Sequence, residues 1–110
     1  MKEVTIRQLQ AYLKEHYKDS RTEEGLFIKL VEEVGEVAEF LNGRSGRKEG
    51  VQDSNEELAK ELADTIHYTV AIAAINEIDL TKTIFEKDKT AAVKYQHQKD
   101  LEQFLAEKSI

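Results

Sequence analysis

Cysteine is missing from this chain, and so are proline and tryptophan. Without cysteine there is no disulfide framework, no thiolate metal site and no cysteine nucleophile, so any metal must be held by oxygen or imidazole. Without proline nothing inside a periodic stretch breaks a helix, and the five glycines fall largely at joints. No apolar run approaches the ~18–20 residues that span a bilayer, and Met1-Lys2-Glu3-Val4 does not begin a secretion signal. The expected location is therefore the cytoplasm, with no membrane partner. Basic charge is in deficit as well: 16 Lys and Arg against 22 Asp and Glu leave a net charge of −6, which argues against long nucleic acid as a partner. A glycine-rich phosphate loop, a nucleophilic serine motif and a zinc-binding HExxH are absent too, and those chemistries go with them.

What is present fits one small globular domain, read as residues 1–110, with 40% apolar and 35% charged side chains. Apolar residues recur at helical spacing in four stretches. The first runs from about Thr5, a natural N-cap, to Tyr17, with Ile6, Leu9, Leu13 and Tyr17 as its stripe. The second, from about Thr22 to Leu41, opens on a hydroxyl cap and an acidic first turn and closes at Asn42-Gly43. A joint over residues 43–53 carries Arg44, Arg47 and Lys48 among three glycines. Ser54-Asn55-Glu56-Glu57 then reads as a capping box that opens a third helix to about Ile75. Asp79 caps a fourth stretch, from Leu80 to about Leu105, with a break expected near Ala91-Ala92. The pattern predicts an all-α bundle of four to five helices.

Two acidic clusters, Glu32-Glu33-Val34-Gly35-Glu36 and Glu61-Leu62-Ala63-Asp64, lie inside these apolar stretches. Residues three apart on a helix point roughly the same way, so Glu33 pairs with Glu36 and Glu61 with Asp64. In the second helix Leu30, Val34, Val37, Ala38 and Leu41 form an apolar arc with Glu33 at its edge. In the third, Leu58, Leu62, Ile66, Val70 and Ala73 form another, beside a stripe of Glu57, Glu61, Asp64, Tyr68, Ala71 and Ile75. That stripe starts acidic and ends apolar, so Asp64 and Tyr68 are expected to line a partly covered cleft. Two carboxylates ~4 Å apart at an effective dielectric of ~20 repel by about 4 kcal/mol, and several cannot all stay ionised without protons or a metal. Mg²⁺, with Mn²⁺ as a substitute, suits an all-oxygen ligand set and commonly bridges carboxylate to phosphate. His16, His67 and His97 show no spacing that makes a cluster and read as surface or boundary residues.

The string Leu30-Val31-Glu32-Glu33-Val34-Gly35-Glu36-Val37-Ala38-Glu39, followed after a loop by Glu61-Leu62-Ala63-Asp64, resembles the EExxE…ExxD signature of the MazG-like nucleotide pyrophosphohydrolases. Asn76-Glu77-Ile78-Asp79-Leu80 is similar to the segment that opens that family's last helix, so the resemblance covers roughly residues 24 to 95. It implies the all-α NTP pyrophosphatase fold, completed by assembly into a homodimer or homotetramer. It also implies cleavage of a nucleoside triphosphate between its α and β phosphates, to a monophosphate and pyrophosphate, as nucleotide-pool housecleaning. Carried over by position, Glu33, Glu36, Glu61 and Asp64 would hold Mg²⁺. A carboxylate would serve as general base, with Glu36 and Glu32 the candidates; Glu32 lies off the ligand stripe and either works on the attacking water or faces solvent.

Lys87 and Lys94 match basic positions of the family's last helix and would meet phosphate, whereas Ala91 stands where related sequences often have Asn. Tyr68 would stack on or bound the nucleobase, while Tyr12 and Phe27 fit either the base or a core stripe. Apolar surface at Ile72, Ile75, Leu101, Phe104 and Leu105 is expected to be covered by assembly. Two other readings stay open: a phosphoribosyl-ATP pyrophosphohydrolase, and a non-catalytic helical module that binds a nucleotide or a protein.

Overall fold

Thr5 starts the first helix as its context dictates. Its hydroxyl accepts the Gln8 amide at 3.0 Å while the Gln8 side chain accepts the Thr5 amide at 2.8 Å, a reciprocal capping box. The computed structural model describes residues 1–19, 22–44 and 55–108. These form five helices: α1 (Ile6–Tyr17), α2 (Glu23–Arg44), α3 (Asn55–Ile75), α4 (Leu80–Lys94) and α5 (Leu101–Lys108). The expected caps are in place at Thr22, which accepts the Gly25 amide at 3.0 Å, and at Asp79, which accepts the Lys82 amide at 3.2 Å. Ser54 and most of the joint over 43–53, with Arg47 and Lys48, lie outside the described residues.

The break in the last stretch falls later than expected, between Tyr95 and Asp100 rather than at Ala91-Ala92. Alanine favours helix, so the pair gives no reason to stop. Gln96 does, by taking a left-handed conformation (φ 57°), with its amide on Val93 O at 3.3 Å and that of His97 on Ala92 O at 2.9 Å. Asp100 and Gln103 then exchange side-chain-to-amide bonds at 2.8 Å each, a second capping box that opens α5. Left-handed geometry costs a side-chain-bearing residue about 1 kcal/mol more than glycine. Gln96→Gly is accordingly expected to stabilise the fold by about 1 kcal/mol, read as a rise in the urea midpoint without a change in slope.

The α2 and α3 helices form an antiparallel hairpin. Arg44, at the end of α2, donates to Asn55 at the start of α3 (2.8 Å), and Asn76, just past α3, donates to Glu23 at the start of α2 (2.8 Å). On one side α1 packs against α3, and the core lies there: Leu13, Tyr17, Leu26, Val70, Ala71 and Ala74. Polar contacts tie the α3–α4 turn to α1. Arg7 pairs with Asp79 at 3.1 Å, Gln10 bridges Ile78 O and the Leu80 amide, and Lys14 pairs with Glu77. The main packing partners of α4 are α1 and α5, and Asp88 caps the amide of Leu101 at 2.6 Å.

The expected apolar arcs are only partly interior. Val70 and Ala73 are buried, but Val34, Leu41, Leu62 and Ile66 are each about half exposed, near 50%. A single chain has one helix, α1, to lay over the hairpin, and it covers the other side.

Candidate metal centre

The hairpin brings the acids together because its helices run in opposite directions, so the middle of α2 faces the first half of α3. One carboxylate oxygen from each of Glu33, Glu61 and Asp64 lies within 4.8 Å of the other two. Glu33 is buried, with 8% of its surface exposed, Glu61 is half-buried and Asp64 is exposed, so the group leads from the interior to the surface. Glu36 is exposed, and its carboxylate lies against that of Glu61 at the margin of this trio.

Glu33 Oε2 and Glu61 Oε2 are buried and have no hydrogen-bond donor. Buried acceptors left without a partner are costly and uncommon. Burial, then the charges of Glu36 and Asp64, pushes the Glu33 carboxyl up. For Glu61 the contact with Glu36 comes first and burial second, and together with Glu33 they raise it to about 7. A group of carboxylates this close needs protons or a cation. A hard divalent ion, which takes oxygen ligands and tolerates several charges around it, fits this donor set.

The other residues singled out by the sequence lie at varying removes. Glu32 is exposed and paired with Lys29 at 3.2 Å, the i,i+3 partner, although the Lys29 charge also acts on Glu33. Tyr68 is half-buried one turn beyond Asp64 and packs on the core, while Asp64 itself is exposed. Lys87 and Lys94 sit on α4 and line, with Thr90 and Tyr95, a groove of about 470 Å³. That face belongs to a helix packed on α1 and α5, away from the carboxylate hairpin. Tyr12 and Phe27 are both well exposed and belong to no core stripe.

The histidines lie at the surface or its boundary as expected, His16 and His97 exposed and His67 half-buried, but His67 has a partner that its spacing did not show. His67 Nε2 lies 2.6 Å from the Tyr17 hydroxyl, and the Tyr17 ring is also edge-on to His16 at 4.6 Å. Burial lowers the pKa of His67, with nearby Asp64 opposing and His16 reinforcing. Fifty residues separate Tyr17 from His67, and no local spacing announces the contact.

Among the described residues there are five helices and no strand, and none of the helices is long and apolar enough to cross a membrane. This is an all-α protein with a candidate divalent-metal centre on an antiparallel helix pair. It belongs to the MazG family: the profile of the MazG nucleotide pyrophosphohydrolase domain matches residues 21–100. The resemblance carried by the two acidic clusters is thereby borne out. The chain is similar to dCTP pyrophosphatase 1 of Rattus norvegicus and to dCTP pyrophosphatase 1 of Mus musculus. Each is 35% identical over 74 residues, which cover 64% of this chain and 44% of the relative. The chain therefore spans less than half the length of these curated relatives. No solved structure gives a significant match.

Proposed function

We propose that the protein is a Mg²⁺-dependent hydrolase that cleaves a nucleoside triphosphate between its α and β phosphates, releasing a monophosphate and pyrophosphate, in the service of nucleotide-pool housecleaning. The observation that carries this reading is the pair of orphaned, buried carboxylate oxygens on Glu33 and Glu61 beside Asp64, in a chain of the MazG family. Glu33, Glu61 and Asp64 would hold the ion, with Glu36 as the fourth oxygen ligand at the margin. When bound, the divalent ion neutralises polyphosphate charge and lowers the pKa of a coordinated water.

The remaining work falls to the chain's own groups. Glu36, exposed and touching Glu61, is the carboxylate best placed to take the proton of the attacking water as the bond to pyrophosphate breaks. Glu32, occupied by Lys29, is the weaker candidate for that role. Tyr68 would bound the nucleobase next to the acids, as an aromatic face suits it to do. Lys87 and Lys94 would meet phosphate. Their place on α4 favours a nucleotide bound across a boundary between two copies of the chain, and the half-exposed apolar face of α2 and α3 supports a homo-oligomer.

The test is to incubate the protein with a panel of nucleoside triphosphates, dCTP among them in view of the relatives' name, and with phosphoribosyl-ATP, with and without Mg²⁺. Monophosphate plus pyrophosphate, formed only with the metal, is the expected result. Diphosphate plus orthophosphate would move the site of cleavage, turnover of phosphoribosyl-ATP alone would reassign the substrate, and no turnover of any compound would overturn the reading.

A further inference from the structure

A contiguous run of rings leads from the α1–α3 core to the rim of the carboxylate cluster. Tyr17, the last residue of α1, is buried, with 7% of its surface exposed, and its hydroxyl meets His67 Nε2 at 2.6 Å. The Tyr17 and His67 rings stand edge-to-face with centroids 5.7 Å apart. His67 in turn stands edge-to-face to Tyr68 at 4.8 Å, with an angle of 72° between the planes.

That last contact is informative because adjacent helix positions diverge by ~100° and ordinarily do not face each other. Both rings must lean into the gap between them. Two constraints hold His67 in this pose: Tyr17 at Nε2 fixes the rotation of the imidazole, and the half-buried Tyr68 ring stands against it at 72°. Tyr68 lies one turn past Asp64, whose charge His67 feels.

From this we infer that His67 is a positioning residue for the nucleotide: pinned by Tyr17, it braces Tyr68 in the orientation the substrate meets beside Asp64. The inference rests on the reading of Tyr68 as the nucleobase contact. A side chain already ordered before binding spares the complex the entropy of fixing it, so the brace acts on affinity and not on the chemical step.

The experiment compares wild type, His67→Phe, His67→Gln, Tyr17→Phe and the double variant Tyr17→Phe/His67→Phe. It measures the dissociation constant of α,β-imido-dCTP with Mg²⁺, and kcat and KM for hydrolysis, with thermal melts as a check on folding. His67→Phe and Tyr17→Phe are each expected to weaken binding and raise KM about fivefold, the worth of one hydrogen bond of ordinary net strength, with kcat unchanged. The double variant should be no weaker than either single one, because both remove the same link. Glutamine, whose amide reaches the Nε2 position, should restore affinity to within about twofold of wild type. Unchanged affinity in His67→Phe, additive losses, a loss in kcat alone, or failure of glutamine to restore binding would each overturn the role. If His67→Phe does not fold, Tyr17→Phe against His67→Gln makes the same comparison, and equal affinities overturn it. A wild type that neither binds the analogue nor hydrolyses a triphosphate removes the proposed function and this role together. A wild type that does both while ignoring changes at His67 removes this role alone.

Discussion

Glu33→Gln is expected to do two opposite things: cut hydrolysis roughly a thousandfold, the scale of losing a metal's several kcal/mol of transition-state stabilisation, and raise the melting temperature of the metal-free protein at pH 7.5. Glu33 is the buried member of the trio, and its carboxyl is pushed up by burial and by the charges of Glu36 and Asp64. An amide of the same shape removes one charge from that group and can donate an N–H to the orphaned Glu61 Oε2. It is also a poor ligand for a hard divalent ion. A carboxylate kept for structure would behave otherwise, losing stability on substitution while hydrolysis continued. Activity assays and metal-free melts on the same preparation separate the two.

The same electrostatics fix a pH dependence whose sign follows directly. Glu61 titrates near 7 in the folded protein and near 4.5 when free, and Glu33 is raised as well. Between those values the folded state holds protons that the unfolded state has released, so stability falls as pH rises. Asp79, held down chiefly by Arg7, and Glu77, held down by Lys14, act the other way, but their contribution is lost only as pH falls below the ordinary carboxylate range. His67, lowered by burial, opposes the two raised carboxylates at pH below its ordinary 6.5, but Glu61 and Glu33 are two groups against one, so over pH 5 to 8 the metal-free melting temperature should decline. Added Mg²⁺ should cancel the decline, since an ion that binds only the folded state stabilises it by mass action. A flat profile in wild type, or one that Mg²⁺ leaves sloping, would contradict the shared site.

Helix starts were the most legible part of this chain, because they are written in single residues: Thr5, Thr22 and Asp79 cap as their side chains allow. The end of α4 was harder to place. Its stop depends on Gln96 adopting a left-handed conformation, which nothing in the residue type announces, although the Asp100…Gln103 box that follows was there to be read. For the acids, three-residue spacing predicts which carboxylates share a face of one helix; the hairpin groups Glu33 with Glu61 and Asp64 and leaves Glu36 at the margin. Spacing alone does not say that Glu33 is the buried one, nor that Glu32 is taken by Lys29. Contacts between distant segments were beyond its reach. The meeting of Tyr17 with His67 needs the α1–α3 packing first, and the placement of Lys87 and Lys94 depends on which helices α4 chooses.

If the protein is the homo-oligomer proposed above, Val34→Asp is expected to reduce it to single chains and to take hydrolysis down with it. Along α2, Phe27, Val31, Val34, Ala38 and Leu41 are all exposed, and they recur at alternating intervals of four and three, the seam of a helix that packs on another helix. Along α3, Leu62 and Ile66 are exposed as well. Val34 and Leu62 each come one position, ~100°, after the carboxylates Glu33 and Glu61 that face the opposite helix. Because the two helices run antiparallel, those rotations carry both seams to the same side of the hairpin, opposite α1. A second copy of the chain offers the same apolar surface, and a two-fold arrangement would place each change twice in one interface. Two unpaired aspartates buried there would cost several kcal/mol, enough to prevent association. Light scattering should give wild type a mass of about 25 kDa, twice the 12.6 kDa of one chain, or a multiple of it. Val34→Asp should appear at one chain's mass, and Val34→Leu, which keeps the seam apolar, should match wild type. A wild type that runs as a single chain, or an aspartate variant that keeps the full assembly, would overturn the pairing of two copies through this seam.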